Sequence, residues 1–190
     1  MHRPTDHHLI AAKRILRYVQ GSLSHGLSFR PGPLELTAFA DSDWAGDPMD
    51  RRSTTGLIIF LGHNPITWQS KKQPTVSRSS TEAEYYALAN CTTDLAWVCM
   101  ILKDLGIFLG APPTIWCDNL SALAMASNPV FHGRTKHVEV DYHFIREKVT
   151  NKDIQLHHVS TDDQLADVLT KALPSPWFLY LRTKLMSPST

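Results

Sequence analysis

A chain of 190 residues, 43% hydrophobic and 19% charged, can bury a core as one domain with appendages or as two small ones, which excludes disorder throughout. Lys and Arg number 19 against 18 Asp and Glu, a formal net charge of +1, so no global positive field recruits nucleic acid and any such binding must come from local patches or a neighbouring domain. No stretch approaches ~18 uninterrupted apolar residues, and Met1-His2-Arg3-Pro4 leads into no apolar segment, so neither a membrane-spanning helix nor a secretory signal is predicted.

In chain order, residues 5–20 read as a helix. Thr5 or Asp6 can cap it, Leu9, Ala12, Leu16 and Val19 recur at spacings of three and four, and Gly21 can end it. Residues 21–33, rich in Gly, Ser and Pro, read as a linker. A helix this short cannot bury its apolar stripe alone, so it needs the next domain or another partner. Residues 34–43 alternate, with Leu36, Ala38 and Ala40 on one face and Phe39, Asp41 and Asp43 on the other. Residues 54–61 and 66–70 are two further strands, joined by the turn Gly62-His63-Asn64-Pro65. A long helix covers about 80–105 before Gly106, a brief strand 114–118, and a helix 119–127 that Asn128-Pro129 stops. Residues 138–149 are helical by pattern, 154–159 a strand and 162–173 a last helix, after which Pro174 and Pro176 close the domain. The order β-β-β-α-β-α-α-β-α predicts a mixed α/β layer: an antiparallel meander extended by parallel strands. The expected division is a helix and linker over 1–33, a domain over 34–173 and a short tail without motifs over 174–190.

Three cysteines, Cys91, Cys99 and Cys117, lack short paired spacing, and the ten histidines are scattered. Neither a disulfide framework nor a zinc knuckle is expected, only buried or half-buried thiols in a reducing compartment. The carboxylates are more informative. Asp41 stands inside an otherwise apolar strand, where Asp is disfavoured. Asp118 ends the run Thr114-Ile115-Trp116-Cys117, where pairing of the first and fourth strands brings it near Asp41; alternatively it caps the next helix. Asp43 either joins them or serves a turn with Gly46. In the long helix, Leu88, Cys91, Leu95, Val98, Leu102 and Leu105 form one stripe, and extending it back by four reaches Glu84. Glu82 points roughly 200° away and suits a cap. Asp167 lies beyond the first turn of the last helix, which Ser160 or Thr161 with Gln164 can cap; an i,i+4 pair with Lys171 is its plainer explanation. Four carboxylates from two strand ends and two helices could converge on hard divalent cations.

The element order and these carboxylates resemble ribonuclease H, and more specifically the ribonuclease H domain of copia-like LTR retrotransposon polyproteins. The resemblance rests on Ala40-Asp41-Ser42-Asp43-Trp44-Ala45-Gly46, Arg52-Ser53-Thr54-Thr55-Gly56, Ser79-Ser80-Thr81-Glu82-Ala83-Glu84-Tyr85 and Cys117-Asp118-Asn119. Arg134-Thr135-Lys136-His137, His143-Phe144-Ile145-Arg146-Glu147, His158-Val159-Ser160-Thr161 and Gln164-Leu165-Ala166-Asp167-Val168-Leu169-Thr170-Lys171 carry it further. It spans about residues 4–174. Ala11-Ala12-Lys13-Arg14-Ile15-Leu16-Arg17-Tyr18 is similar to the end of the reverse transcriptase region that lies upstream in such polyproteins.

The resemblance implies a mixed five-stranded sheet flanked by helices and cleavage of the RNA strand of an RNA/DNA hybrid with two Mg2+ (or Mn2+) ions. It places the catalytic, metal-binding set on Asp41, Glu84, Asp118 and Asp167. Asp41 would bridge both ions, Glu84 and Asp118 would serve the one at the leaving oxygen, and Asp167 the one that activates water. Ser42, Ser80, Asn119 and Ser121 are expected to contact the hybrid, whose RNA strand is told apart by its 2′-hydroxyls. Asp43, Glu82 and His158 are secondary candidates. His158 runs almost directly into the last helix, which leaves little of the mobile histidine loop common in cellular relatives, and residues 128–137 leave no room for an extra basic helix. The basic clusters are Arg51, Arg52, Lys71, Lys72 and Arg78, with Arg134 and Lys136 elsewhere. Weak, salt-sensitive hybrid binding is therefore expected. No Tyr-x-Asp-Asp run is present, so the chain is expected to be a piece of a longer polyprotein without its polymerase. The implied setting is intracellular, in a cytoplasmic virus-like particle or the nucleus, without membrane partners. The alternative is a catalytically silent folded remnant.

Overall fold

An unbroken apolar run, Gly56-Leu57-Ile58-Ile59-Phe60-Leu61, demands cover on both faces of whatever strand it forms. The computed structural model, which describes residues 3–127, 136–185 and 187–188, makes it a central strand. The sheet has five strands: β1 (Leu36–Asp43), β2 (Thr54–Leu61), β3 (Asn64–Lys72), β4 (Thr114–Cys117) and β5 (Gln155–His158). Their spatial order is β3-β2-β1-β4-β5. The first three are antiparallel neighbours, with Asp41 opposite Gly56, and β4 and β5 add in parallel, with Phe39 beside Trp116 and Cys117 beside His158. This is the mixed sheet expected from the sequence.

The helices are α1 (Asp6–Gly21), α2 (Ser80–Asp104), α3 (Leu120–Ser127), α4 (Lys136–Thr150), α5 (Asp167–Thr170) and α6 (Ser175–Leu185). One face of the sheet carries the larger core. Leu36, Ala38, Leu57, Ile59 and Ile115 meet Leu88, Leu95 and Leu102 of α2, with Ala122 of α3 and Tyr142 and Ile145 of α4. The α2 stripe stops at Leu102: Leu105 caps the helix and stays exposed. On the opposite face, Ile58 and Phe60 pack with Leu165 and Leu181, flanked by Phe39, Leu169 and Trp177.

Two regions depart from the sequence expectation. The last helix does not run over 162–173. A 3₁₀ turn spans Thr161–Asp163, Gln164 is extended, and α5 begins only at Asp167. Gln164 explains the break. Its buried amide donates to the Ala40 carbonyl at 2.9 Å and accepts the Ala166 N–H at 3.2 Å, so it anchors the chain to β1 and cannot cap a helix at Ser160. Nor is the stretch after Pro174 featureless. Pro176 lies in the first turn of α6, where a missing N–H costs no helical bond, and α6 sends Leu181 fully into the second core. The N-terminal helix matches its predicted span but buries no residue. Leu9, Ile10, Ile15 and Leu16 stay exposed, while Tyr18 sets its ring edge-on to Phe178 at 5.7 Å. Nearby, His25–Gly26 pairs with Ser187–Pro188 in a two-residue ladder. Among the described residues no helix is long and apolar enough to cross a membrane.

Gly56 decides how closely α5 can approach the sheet. A β-carbon there would sit 2.6 Å from Thr170 Cγ2 and 3.0 Å from the Ala166 carbonyl. Gly56→Ala is therefore expected to push α5 outward and destabilise the fold by ~1–3 kcal/mol. Urea denaturation reads this as a lower midpoint at unchanged slope, and a midpoint equal to the parent's contradicts it.

Candidate active site

Parallel pairing of β1 and β4 sets Phe39 beside Trp116. Two residues further on, Asp41 and Asp118 therefore emerge at one end of the sheet. Asp41 is completely buried, a state that a carboxylate adopts only with partners. The amphipathic face of α2 brings Glu84 to the same end, where its Oε1 accepts the Ser42 backbone N–H at 3.3 Å. From the opposite face, the Gln164 anchor and the Gly56 gap let α5 present Asp167, also buried. Asp167 opens α5 rather than lying within a longer helix.

Polar groups hold the four in place. Thr170 donates its hydroxyl to Asp41. The Lys171 ammonium lies 3.0 Å from Asp41 Oδ1 and 2.7 Å from Asp167 Oδ1. Thr161 donates to Asp118 at 3.0 Å. Oxygens of Glu84 and Asp118 and the Cys117 sulfur all lie within 4.8 Å of one another.

Burial, reinforced by Asp41 and Asp118, pushes the Glu84 carboxyl up to about 9. Burial and Asp41 raise Asp167 to about 6, against the pull of Lys171. Burial opposes the charge on Lys171, yet Asp41 and Asp167 more than offset it and hold its pKa above that of an ordinary lysine. Among the described residues, the four carboxylates have one ammonium beside them, paired with Asp41 and Asp167, and the donor set is all oxygen apart from one thiol. That shortage of positive charge and that donor chemistry fit hard divalent cations. The Cys117 thiol is itself held protonated by burial, and accepts the Asn119 N–H at 3.4 Å. All three cysteines are free.

The other sequence candidates have different surroundings. Glu82 accepts the Arg78 N–H at 2.9 Å while Ser79 accepts the Glu82 N–H at 3.1 Å, a reciprocal cap at the start of α2. Asp43, half-buried, accepts the Thr54 N–H and has Gly46 packed against it, where a β-carbon would lie 2.0 Å from its Oδ2. Its pKa is raised by burial and, to a smaller extent, by Asp41. Ser42 is buried, and its hydroxyl accepts from Gln73 Nε2 at 3.1 Å, so it faces inward. Asn119, not Asp118, caps α3, accepting the Ala122 N–H at 3.0 Å. Ser80, Ser121 and His158 are exposed, and the neighbouring His157 ring lies against Trp116, 5.3 Å between centroids. Arg52 and Lys72 are engaged by Asp50 at 2.7 and 2.8 Å, and Lys72 also meets Asp47. Arg51, Lys71 and Arg78 stay exposed. Arg134, and the side chain of Lys136, lie outside the described residues.

Sequence reasoning missed Gln73, Thr161 and Thr170. Gln73 is fully enclosed and joins Ser42, Thr55, Ser77 and the Ala83 carbonyl, a role that nothing in a polar run after two lysines announces. Thr170 follows Asp167 by three, a helical spacing that would have placed it beside the cluster.

No protein-family model matches the chain. The retrovirus-related Pol polyprotein from transposon RE1 of Arabidopsis thaliana is 52% identical over 186 residues, which are 97% of this chain and 13% of that protein. The corresponding polyprotein from transposon RE2 of the same plant is 54% identical over 174 residues, 91% of this chain and 12% of that one. Among solved structures, LC11 ribonuclease H1, isolated from compost by a metagenomic approach, matches with a TM-score of 0.54 at 17% identity, over 72% of this chain and 93% of its own. Its complex with an RNA/DNA hybrid matches with a TM-score of 0.53 at 14% identity, over 72% of this chain and 94% of its own. At such identities the structural likeness shows the fold. The chain spans only 12 to 13% of the two plant polyproteins. With half its residues shared with them along nearly its whole length, this chain, which carries the ribonuclease H fold, belongs to the retrovirus-related Pol polyproteins of transposons.

Proposed function

We propose that this chain hydrolyses the RNA strand of RNA/DNA hybrids as a metal-dependent endonuclease serving the reverse transcription of a copia-like retrotransposon. The observation that carries the reading is the gathering of Asp41, Glu84, Asp118 and Asp167, from four separate elements, with too little positive charge among them. Two Mg2+ or Mn2+ ions would supply that charge and stabilise the attacking and leaving oxygens of an in-line phosphodiester displacement. Asp41, central and fully buried, would be the shared ligand, Glu84 and Asp118 would hold one side and Asp167 the other. Ser80, Asn119 and Ser121 border the cluster in sequence, and we assign them to the hybrid backbone; the inward-facing hydroxyl of Ser42 leaves that residue a supporting part. Exposed Arg51, Lys71 and Arg78 offer phosphate contacts. The hybrid-bound relative and the Pol polyproteins support this choice of substrate and setting. We assign residues 1–33 to the end of a reverse transcriptase region, since the exposed apolar residues of α1 call for a neighbour, and place the activity inside the cell, in a cytoplasmic particle or the nucleus.

A labelled RNA/DNA duplex with Mg2+ or Mn2+ tests this directly. Asp41→Asn, Glu84→Gln, Asp118→Asn and Asp167→Asn are each expected to cut cleavage by roughly 10²–10³-fold. A parent chain no more active than its Asp41→Asn variant leaves the silent remnant as the reading.

The pH dependence of the metal-free fold is a second test. Burial, with Asp41 and Asp118, pushes the Glu84 carboxyl up to about 9 from the ordinary 4.5, so its protonated form is the one that the fold favours. The stability it contributes is complete below about pH 4.5 and is lost as pH rises through about 9. Asp167 acts in the same sense up to about 6. Glu84→Gln keeps the neutral form. In EDTA it is expected to melt several degrees above the parent near pH 8 and level with it near pH 4. Equal melting temperatures near pH 8 contradict this.

A further inference from the structure

Lys171 follows α5 directly on an extended residue, so its stem rises from a fixed point beside the sheet. Its ammonium meets Oδ1 of Asp41 at 3.0 Å and Oδ1 of Asp167 at 2.7 Å. Those two side chains are 0% and 4% exposed, whereas that of Lys171 is 35% exposed. Among the described residues, Asp41 also accepts the neutral Thr170 hydroxyl and a side-chain hydrogen bond from protonated Glu84. The charged donor that Asp41 and Asp167 share is therefore one amine that has a way out to water. We propose that Lys171 is the resident counter-cation of Asp41 and Asp167, a positioning residue that keeps both carboxylates aimed inward until a divalent cation takes its place by exchange.

The inference rests on the nuclease reading, which assigns these two carboxylates to ion binding. Its physical basis is competition. An ammonium hydrogen-bonded to these oxygens cannot share them with a doubly charged ion at ~2.0–2.1 Å without strong like-charge repulsion. A lysine head is compact and well hydrated, on a flexible stem, so release into water is an open route for it. The metal affinity of this site is then a net quantity, reduced by whatever the amine contributes in its absence, just as a minor binding-competent state lowers an apparent affinity. Arginine would grip the pair more rigidly; methionine keeps the stem and removes the charge.

The experiment uses the whole 190-residue chain, with Mn2+ as the probe, followed by the paramagnetic signal of the free ion. Parent, Lys171→Met, Lys171→Arg and Asp41→Asn are titrated, and each is melted in EDTA and in saturating Mn2+. Lys171→Met is expected to bind Mn2+ about tenfold more tightly, to melt below the parent in EDTA, and to recover the difference in saturating Mn2+. Lys171→Arg is expected to bind no more tightly than the parent. Lys171→Gln replaces the methionine variant should that one not fold. Asp41-dependent Mn2+ binding that is unchanged or weaker in the folded, uncharged variant overturns the exchange proposal alone. Absence of Asp41-dependent Mn2+ binding in the parent overturns it together with the nuclease reading.

Discussion

Carboxylates repel one another most strongly where water is excluded, and this protein places four of them at one end of one sheet. Much of the local structure answers that repulsion. Thr170 and Lys171 hold Asp41, Thr161 holds Asp118, and the Ser42 N–H holds Glu84. What these donors leave uncompensated is visible in Glu84, whose proton is retained far above the usual carboxylate range. The divalent ions of the proposed function would supply the positive charge that this arrangement lacks.

The scaffold supplies the rigidity that such a cluster needs. Asp41 sits on the central strand β1, bounded by β2 on one side and β4 on the other. Glu84 is fixed by the larger core through the neighbours of Tyr85 and Leu88, and Asp167 by the smaller one through Leu165 and Leu169. Each core therefore positions a different half of the site. The buried amides of Gln73 and Gln164 tie the joints: the first links β1, β2 and the start of α2, and the second fastens the approach to α5 onto β1. Functional geometry at the strand ends is thus inherited from packing on both faces of the sheet.

Much of this was legible in the amino-acid order. Alternation over β1, the apolar run of β2 and the α2 stripe are strong local signals, and they led to Asp41 and Glu84 without reference to any relative. The stripe also separated Glu84 from Glu82, because helical phase is a geometric fact. Less legible was whatever depends on a long-range hydrogen bond. The last predicted helix failed at Gln164, whose partner lies 124 residues away on Ala40. Ser42 is expected from the resemblance to contact the hybrid, and nothing nearby in sequence says that Gln73 will close over its hydroxyl. The sequence offers Asp167 a plain ion pair with Lys171 as one explanation and a catalytic site as another. Both are compatible with the geometry, since the same lysine also reaches Asp41. The prolines at 174 and 176 read as an ending, when one of them lies in the first turn of a helix.

That C-terminal helix has a practical corollary. Leu181 is the cork of the smaller core, resting with Ile58 and Phe60 beneath the very strand that faces Asp41. Trimming the chain at the proline pair, just past the last of the quoted motifs at Lys171, would uncork that layer and wet the underside of β2. Recombinant boundaries chosen by motif alone would then yield a sticky, loosened particle whose inactivity says nothing about its chemistry.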